Sequence, residues 1–398
     1  MGLLRRILGN ETLDFDFLPS PRLYMGAGRL QRLGDYLESR GIRRIALITG
    51  GASYSQSDYR EGFEGGLSES GVSFLRFAVS GEPAPDKVDS IRDEVQNSDV
   101  QAVVGLGGGS VIDTAKAVST MLRHEGSVRD YLEGVGERRL SGSRYPLVAV
   151  PTTAGTGSEA TSNAVISEVG EGGYKKSLRH PGLVPDLAIL DPELTRGCPA
   201  ELSSAAGMDA LTQLLEAYVS KNSNPMSDLL AEEGLKRAGR ALPVVVRNPD
   251  DLRTRTEMAY AAYLSGLVLG TAGLGLVHGA TSPIGAARHI PHGVVCGRLL
   301  PAATGASIRA LERQGAEGAG FLVKYRRAAE ILGREKGGSL KTLVDLFSHW
   351  VEEFEIPGLE AYGFSEEELA VIAQKSSLKE SPAKLSSEEI YEVLLESL

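Results

Sequence analysis

The sequence predicts an α/β domain built on a parallel sheet, followed by an all-α domain. Three observations support this division. The chain has 398 residues, too many for one ordinary core. Short β-branched runs alternate with helical patterns up to about residue 192, and strand–helix–strand repetition implies parallel strands with covering helices. Beyond residue 195 the apolar residues recur at helical intervals. Domains are therefore expected at 1–194 and 195–398.

The elements follow in order. "RRIALIT" (43–49) reads as a strand, and so do "VSFLRFAV" (72–79), "VQAVVGLG" (100–107), "YPLVAVPT" (145–152) and "LAILDP" (187–192). "YREGFEGGLSES" and "PDKVDSIRDEVQNS" lie between them with helical spacing. After "LTRGCPAELS" the segments "SSAAGMDALTQLLEAYVS", "SDLLAEEGLKRAGRALPVVV", "DLRTRTEMAYAAYLSGLVLG", "FLVKYRRAAEILG", "LKTLVDLFSHWVEEF" and "SEEELAVIAQKSS" are all helical by pattern, with no comparable strands among them. Met258 to Val277 carries no charge over 20 residues, enough to span a bilayer, and contains Gly266-x-x-x-Gly270. It is rich in Gly, Ser and Thr, stands alone and runs into His278, which favours a buried helix of the second domain.

Composition narrows the function. A net charge of −10 disfavours non-specific nucleic-acid binding. Two cysteines, Cys198 and Cys296, exclude a disulfide framework and favour a reducing cytoplasm. "MGLLRRILGN" lacks the long apolar run and cleavage site of a signal peptide. The 48 glycines are well above the usual share of about 7%, which suggests tight turns and close backbone approach to ligands.

Two stretches suit a phosphate-bearing ligand. In "VVGLGGGSVIDTAKAVS" a strand ends, Gly107, Gly108 and Gly109 turn, and Ser110 opens a helix whose bare N–H groups suit a pyrophosphate. Asp113 and Lys116 lie on its first turns. Ser110 stands where the GxGxxG fingerprint needs glycine, and no Gly-Lys-Ser/Thr is present, so alone the motif is equally a structural turn. "PTTAGTGSEAT" (151–161) adds hydroxyls from Thr152, Thr153, Thr156 and Ser158, with Gly155 and Gly157 giving access to backbone; Lys175 follows in "YKKSL". Two such loops after parallel strands point to the crevice at the carboxyl edge of an α/β sheet, which makes the first domain a dinucleotide-binding one.

The helical half holds possible metal ligands. Asp209 and Gln213 are four residues apart on one helix face; His278 ends the long apolar helix, and His292 lies 14 residues on, past Pro283 and Pro291. A carboxylate, an amide oxygen and two imidazoles suit a divalent iron or zinc with room for a substrate oxygen. Taken singly, such an Asp is more often a cap or a solvated residue, and such a His more often a hydrogen-bonded core residue than a ligand.

Together "GLGGGSVIDTAKA", "PTTAGTGSEAT", "LVPDLAILDPELT", "GMDALTQLLEAYVS" and "HGATSPIGAARHIPHG" resemble the iron-dependent, group III alcohol dehydrogenases over nearly the whole chain. The resemblance implies a dinucleotide-binding α/β domain and a helical metal domain, an architecture similar to that of dehydroquinate synthases. It implies hydride transfer between NAD or NADP and small alcohols or aldehydes, with Fe2+ or Zn2+, in a soluble homodimer or larger homo-oligomer. It assigns cofactor contacts to Thr49, Gly50, Gly51, Gly107, Gly108, Gly109, Ser110, Asp113, Thr152, Thr153, Thr156, Ser158 and Lys175. The metal falls to Asp209, Gln213, His278 and His292, and catalytic roles to His278, His289 and His292.

Three departures stand out. Gln213 occupies the place of one of the family's three metal-binding histidines. Ser282 replaces its usual proton-relay histidine, leaving His289 as the nearest substitute. The strand end "LITGGAS" has Gly50 and Gly51 where NAD-preferring members often carry Asp, which leans the expectation towards NADP. Gln213 and Ser282 also fit a metal-independent reductase similar to maleylacetate reductases. A dehydroquinate synthase-like lyase would need basic residues near His278, where the sequence shows Arg288 and Arg298. A nucleotide-binding protein without catalysis is the remaining alternative.

Overall fold

The computed structural model describes residues 14–170, 172–334 and 337–398. The segment read as lacking a signal peptide, residues 1–10, lies outside them. The first half contains β1 (Arg22–Met25), α1 (Arg32–Ser39), β2 (Arg44–Gly50), α2 (Ala52–Ser55), α3 (Arg60–Glu69), β3 (Ser73–Val79), α4 (Pro85–Gln96), β4 (Ala102–Gly107), α5 (Gly109–Met121), β5 (Leu147–Pro151), β6 (Asn163–Glu168), β7 (Tyr174–Arg179) and β8 (Leu187–Leu190). Six of these strands form one parallel sheet in the order β1–β8–β5–β4–β2–β3. Its central strands are apolar throughout because both faces are covered. Val88, Ile91, Val111 and Val118 of α4 and α5 pack on one face, and Leu33, Leu37, Phe63 and Leu67 of α1 and α3 on the other.

The five expected strands are present within a residue or two of their expected ends. Two features differ from expectation. β1 is a four-residue edge strand, too short and too polar at its start to stand out by pattern. β6 and β7 form a separate antiparallel hairpin that was not expected. Its strands mix Asn, Ser, Glu, Lys and Arg with apolar residues, because β6 lies on α5 and β7 turns towards the helical half.

The second half contains α6 (Ala200–Tyr218), α7 (Pro225–Arg247), α8 (Leu252–Ala272), α9 (Leu276–Ala287), α10 (His292–Arg313), α11 (Ala316–Gly333), α12 (Leu340–Glu353), α13 (Glu366–Lys375) and α14 (Ser387–Leu395), with no strand among the described residues. α6 is its axis: residues from Ser203 to Tyr218 are almost all buried, by α7, α8 and α10. The uncharged stretch from Met258 to Val277 is not one helix. Gly273, at φ 74°, ends α8, and α9 leaves at 99° to it; no single helix among the described residues is long and apolar enough to cross a membrane.

Gly266 meets the hydroxyl loop rather than another membrane helix. Gly157 sits at φ 61°, and a Cβ on it would lie 2.5 Å from Gly266 N and 2.6 Å from Ala262 O. The two domains thus touch backbone to backbone at this point. On the other side of the loop, Lys116 of α5 is fully buried and donates to Thr161 Oγ1 at 2.6 Å and Asn163 O at 2.8 Å. Asp113 accepts from the Ser158 hydroxyl and, at 2.9 Å, from Val165 N. Burial lowers the Lys116 ammonium to about 8 and raises the nearby Glu159 carboxyl to about 7.

Two outcomes follow from this seam. Gly266→Ala forces a Cβ against the Gly157 backbone and is expected to lower unfolding stability by about 1–3 kcal/mol, read from the urea midpoint. The Glu159 carboxyl holds its proton above the ordinary 4.5, so its contribution to stability is full below pH 4.5 and is lost as pH rises to about 7. Glu159→Gln removes that loss. Its stability relative to the parent is expected to improve by about 3 kcal/mol across this window, measured by urea unfolding at both ends.

Candidate functional site

The chain order of the sheet reverses between β2 and β4, since β3 lies outside β2 and β5 outside β4. Ligands of open α/β sheets bind at such a switch point, beyond the carboxyl ends of the strands. Thr49, Gly50 and Gly51 end β2 there, with the buried Thr49 hydroxyl donating to Gly50 O at 3.0 Å. Gly107 ends β4, Gly108 is the N-cap of α5, and Gly109 and Ser110 form its first turn. No side chain caps α5, which leaves its first N–H groups for an anion. The loop after β5 lies directly alongside. Thr152 N donates to Gly107 O at 3.0 Å, and a Cβ on Gly109 would lie 2.6 Å from Thr156 Cγ2. Thr152, Thr153, Gly108, Gly109 and Ser110 are half-buried at this edge.

Some expected contacts are already engaged within the protein. Ser158 is buried and spends its hydroxyl proton on Asp113, so this pair ties the loop to α5. Thr156 Oγ1 accepts from Ser158 N at 3.2 Å. Lys175, on β7, donates to Glu82 Oε1 at 2.8 Å, while Ser167 Oγ donates to Glu82 Oε2 at 3.2 Å. The Lys175 stem rests on α9, where a Cβ on Gly285 would lie 3.2 Å from its Cδ.

The helical domain gathers its polar groups at one point. Asp209 projects from α6, His278 from the start of α9, and His292 is the first residue of α10. His278 Nε2 lies 3.3 Å and His292 Nε2 3.7 Å from Asp209 Oδ1. Cys296, one turn after His292, completes the group: its Sγ is 3.7 Å from His278 Nε2 and 3.6 Å from His292 Nε2. The four donor atoms lie within 4.8 Å of one another.

Gln213 lies against the cluster with both ends of its amide hydrogen-bonded. Its Oε1 accepts from Ser265 Oγ at 2.7 Å, and its Nε2 donates to Asp209 Oδ1 at 3.0 Å. Here the amide nitrogen faces the cluster and the oxygen faces Ser265. Cys296 adds a further donor to the group.

Glu216, two turns after Asp209, receives His278 Nδ1–H on Oε2 at 2.7 Å and Val277 N–H on Oε1 at 2.7 Å. That bond fixes the orientation of the imidazole, with Nε2 facing Asp209. Burial pushes the Asp209 carboxyl up, but His292 and His278 outweigh it and hold it at about 2. Burial also lowers His278, yet Cys296, Asp209 and Glu216 raise it well above its ordinary value. Burial, with Lys175 and His278, lowers His292 to about 4 against the pull of Asp209. The donor types fit a divalent metal.

The remaining expected residues stand apart. His289 is exposed in the turn before α10 and outside the cluster. Ser282 lies half-buried on α9. Arg288 binds Glu368 at 2.5 and 2.7 Å, and Arg298 donates to Ser397 O and Leu398 O at 3.2 and 2.7 Å. Neither arginine offers the open basic site that a phosphate- and carboxylate-bearing lyase substrate needs. Sequence reading missed Cys296, Glu216 and Glu82. Two had a signal in their spacing: His292-x-x-x-Cys296 is one helical turn, and Glu216 continues the Asp209–Gln213 face.

The two half-sites share a support. A Cβ on Gly155 of the hydroxyl loop would lie 2.8 Å from Ala206 Cβ, and one on Gly293, beside His292, 3.2 Å from Ala206 N. The loop and the start of α10 thus pack on the same turn of α6.

Comparison with known proteins agrees with this geometry. A family model described as iron-containing alcohol dehydrogenase matches residues 20–192, and one for the C-terminal part of the Fe-containing alcohol dehydrogenase family matches 203–398. The probable alcohol dehydrogenase EutG of Escherichia coli (strain K12) is 35% identical over 72% of this chain and 71% of its own. The NAD-dependent methanol dehydrogenase of Bacillus methanolicus is 30% identical over 90% of this chain and 92% of its own. The crystal structure of a 1,3-propanediol oxidoreductase superposes with a TM-score of 0.88 at 28% identity, covering 97% of this chain and all of the other (100%). With matching models over both domains and a relative of this likeness spanning nearly its full length, the chain belongs to the iron-containing alcohol dehydrogenase family.

Proposed function

We propose that this chain interconverts a small alcohol and its aldehyde or ketone, with NAD(P) at the β2/β4 switch point and the substrate oxygen facing the Asp209–His278–His292 cluster. The observation that carries this reading is the shared turn of α6, which sets the cluster beside the hydroxyl loop of the nucleotide crevice. The nicotinamide cofactor supplies or accepts the hydride. A divalent metal held by Asp209, His278 and His292 supplies Lewis-acid polarisation of the carbonyl.

The chain's own residues supply position and electrostatics. The uncapped start of α5 and the glycines at 107–109 receive the pyrophosphate, and Thr152 and Thr153 offer hydroxyls at the same edge. Asp113 and Ser158 hold the hydroxyl loop in shape from behind. Glu216 orients His278, and Lys175, braced by Glu82, borders the cluster from the α/β side. His292 Nδ1 is buried without a protein partner, which leaves that nitrogen for a group that enters the cleft.

Cofactor choice rests on the end of β2. Gly50 and Gly51 present no carboxylate to the adenosine ribose, so the 2′-phosphate of NADP meets no like charge there. The Bacillus methanolicus relative carries "NAD-dependent" in its name, and we assign this chain the capacity to use NADP as well.

The reaction is tested by chelation. Stripping the metal is expected to abolish aldehyde reduction, and Zn2+ or Fe2+ add-back to restore it; activity indifferent to both would defeat the reading. In Glu216→Gln, a single amide oxygen cannot accept from both Val277 and His278, so metal affinity is expected to fall about 10–100-fold in chelator competition. A Cβ on Gly51 meets open space, so Gly51→Asp fits without clash. It is expected to lower kcat/KM for NADPH by about tenfold or more while sparing NADH, each tenfold being about 1.4 kcal/mol of like-charge repulsion.

A further inference from the structure

We infer that Cys296, as a thiolate, is the fourth protein ligand of the metal, in the role that Gln213 does not fill, and that the centre is therefore built for zinc rather than iron. This rests on the metal reading above and goes further, by naming a ligand and a metal class.

Four observations on the page carry it. Cys296 follows His292 by one turn of α10, so both side chains leave the same face of one rigid helix. Its Sγ is fully buried and meets the Nε2 atoms of His278 and His292 and the Asp209 carboxylate. Glu216 holds His278 Nδ1, so Nε2 is the ring nitrogen turned towards the sulfur. Gln213 has both ends of its amide engaged, by Ser265 and by Asp209.

The spacing agrees with a common centre. Zinc bonds of about 2.3 Å to sulfur and 2.0–2.2 Å to nitrogen and oxygen, at near-tetrahedral angles, give edges of about 3.5 Å between sulfur and nitrogen and about 3.4 Å between nitrogen and oxygen, and zinc takes the substrate oxygen by expanding to five ligands. The observed sulfur–nitrogen separations are 3.7 and 3.6 Å, and the nitrogen–oxygen separations 3.3 and 3.7 Å.

The chemistry separates this centre from a carboxylate with three imidazoles. Burial pushes the Cys296 thiol up to about 12, so the metal must displace its proton; with that proton gone, Asp209 and Cys296 carry two negative charges and neutralise a divalent ion in place. Thiolate is soft and favours zinc over ferrous iron.

The test uses full-length protein in which the metal is exchanged for Co2+. A thiolate-to-cobalt charge-transfer band in the near ultraviolet is expected, retained in Gln213→Ala and in Cys198→Ser and lost in Cys296→Ser. Zinc K-edge absorption on the zinc-loaded parent gives a reading that needs no variant: one sulfur is expected in the first shell. Cobalt bound without the band, or a zinc shell of nitrogen and oxygen alone, overturns the assignment of Cys296 and leaves the metal reading standing. Failure of the parent protein to bind either ion overturns both.

Discussion

The arrangement of the helical domain depends on one buried charge. Asp209 is 1% exposed in the middle of α6, among residues that are otherwise mostly apolar. A carboxylate in that position is very costly unless cations or strong donors meet it. The fold meets it from two helices besides its own. The start of α9 brings His278, the start of α10 brings His292, and Gln213 adds an amide from α6 itself. The break at Gly273 and the sharp turn into α9 are needed for this, because a straight continuation of α8 would carry His278 away from α6. Placing that charge thus constrains the path of the chain from residue 273 to 296. Glu216 repeats the device one layer deeper and fixes the ring that Asp209 faces.

The α/β domain solves the opposite problem. Its crevice must accept an anionic ligand within an acidic protein, and it does so largely without basic side chains. Backbone N–H groups at the start of α5 and hydroxyls of the neighbouring loop line the edge. Lys116 is withdrawn beneath the loop, and Lys175 is neutralised by Glu82. Oriented dipoles favour a pyrophosphate without leaving strong fixed charges in the empty crevice.

Much of this was legible in sequence, and the limits have physical causes. Parallel strands buried on both faces read as continuous apolar runs, so β2, β4, β5 and β8 were plain. The β6–β7 hairpin was not, because its pairing depends on α5 and α9, contacts that no local pattern encodes. The two glycine- and hydroxyl-rich loops could be placed on strand ends. Which hydroxyls point outward could not, since Ser158 turns inward only because Asp113 waits there. Asp209, His278 and His292 were found by type and spacing. Gln213 could be placed on the same helix face, but an amide offers either a donor or an acceptor, and its partners Ser265, 52 residues away, and Asp209 lie beyond what local pattern encodes. Cys296 was noted only for its redox meaning, although its distance from His292 was the same helical turn that linked Asp209 to Gln213.

Gln213 and Cys296 are best understood together. An amide at position 213 weakens a cluster that depends on imidazole, because a neutral oxygen is a poorer ligand than a ring nitrogen. Had nothing else changed, Asp209 would face two histidines and a donor amide, and the centre would have one ligand too few. A thiolate entering from α10 supplies the missing ligand and adds a negative charge, while Gln213 is left to hydrogen-bond the carboxylate and hold its rotamer. The exchange moves one ligand from α6, the buried axis, to the first turns of α10, which pack against the turn of α6 that carries the hydroxyl loop. A shift of that loop on cofactor binding would then reach the metal ligands through Gly293 and His292. The same packing that sets the two half-sites face to face thus gives them a mechanical connection.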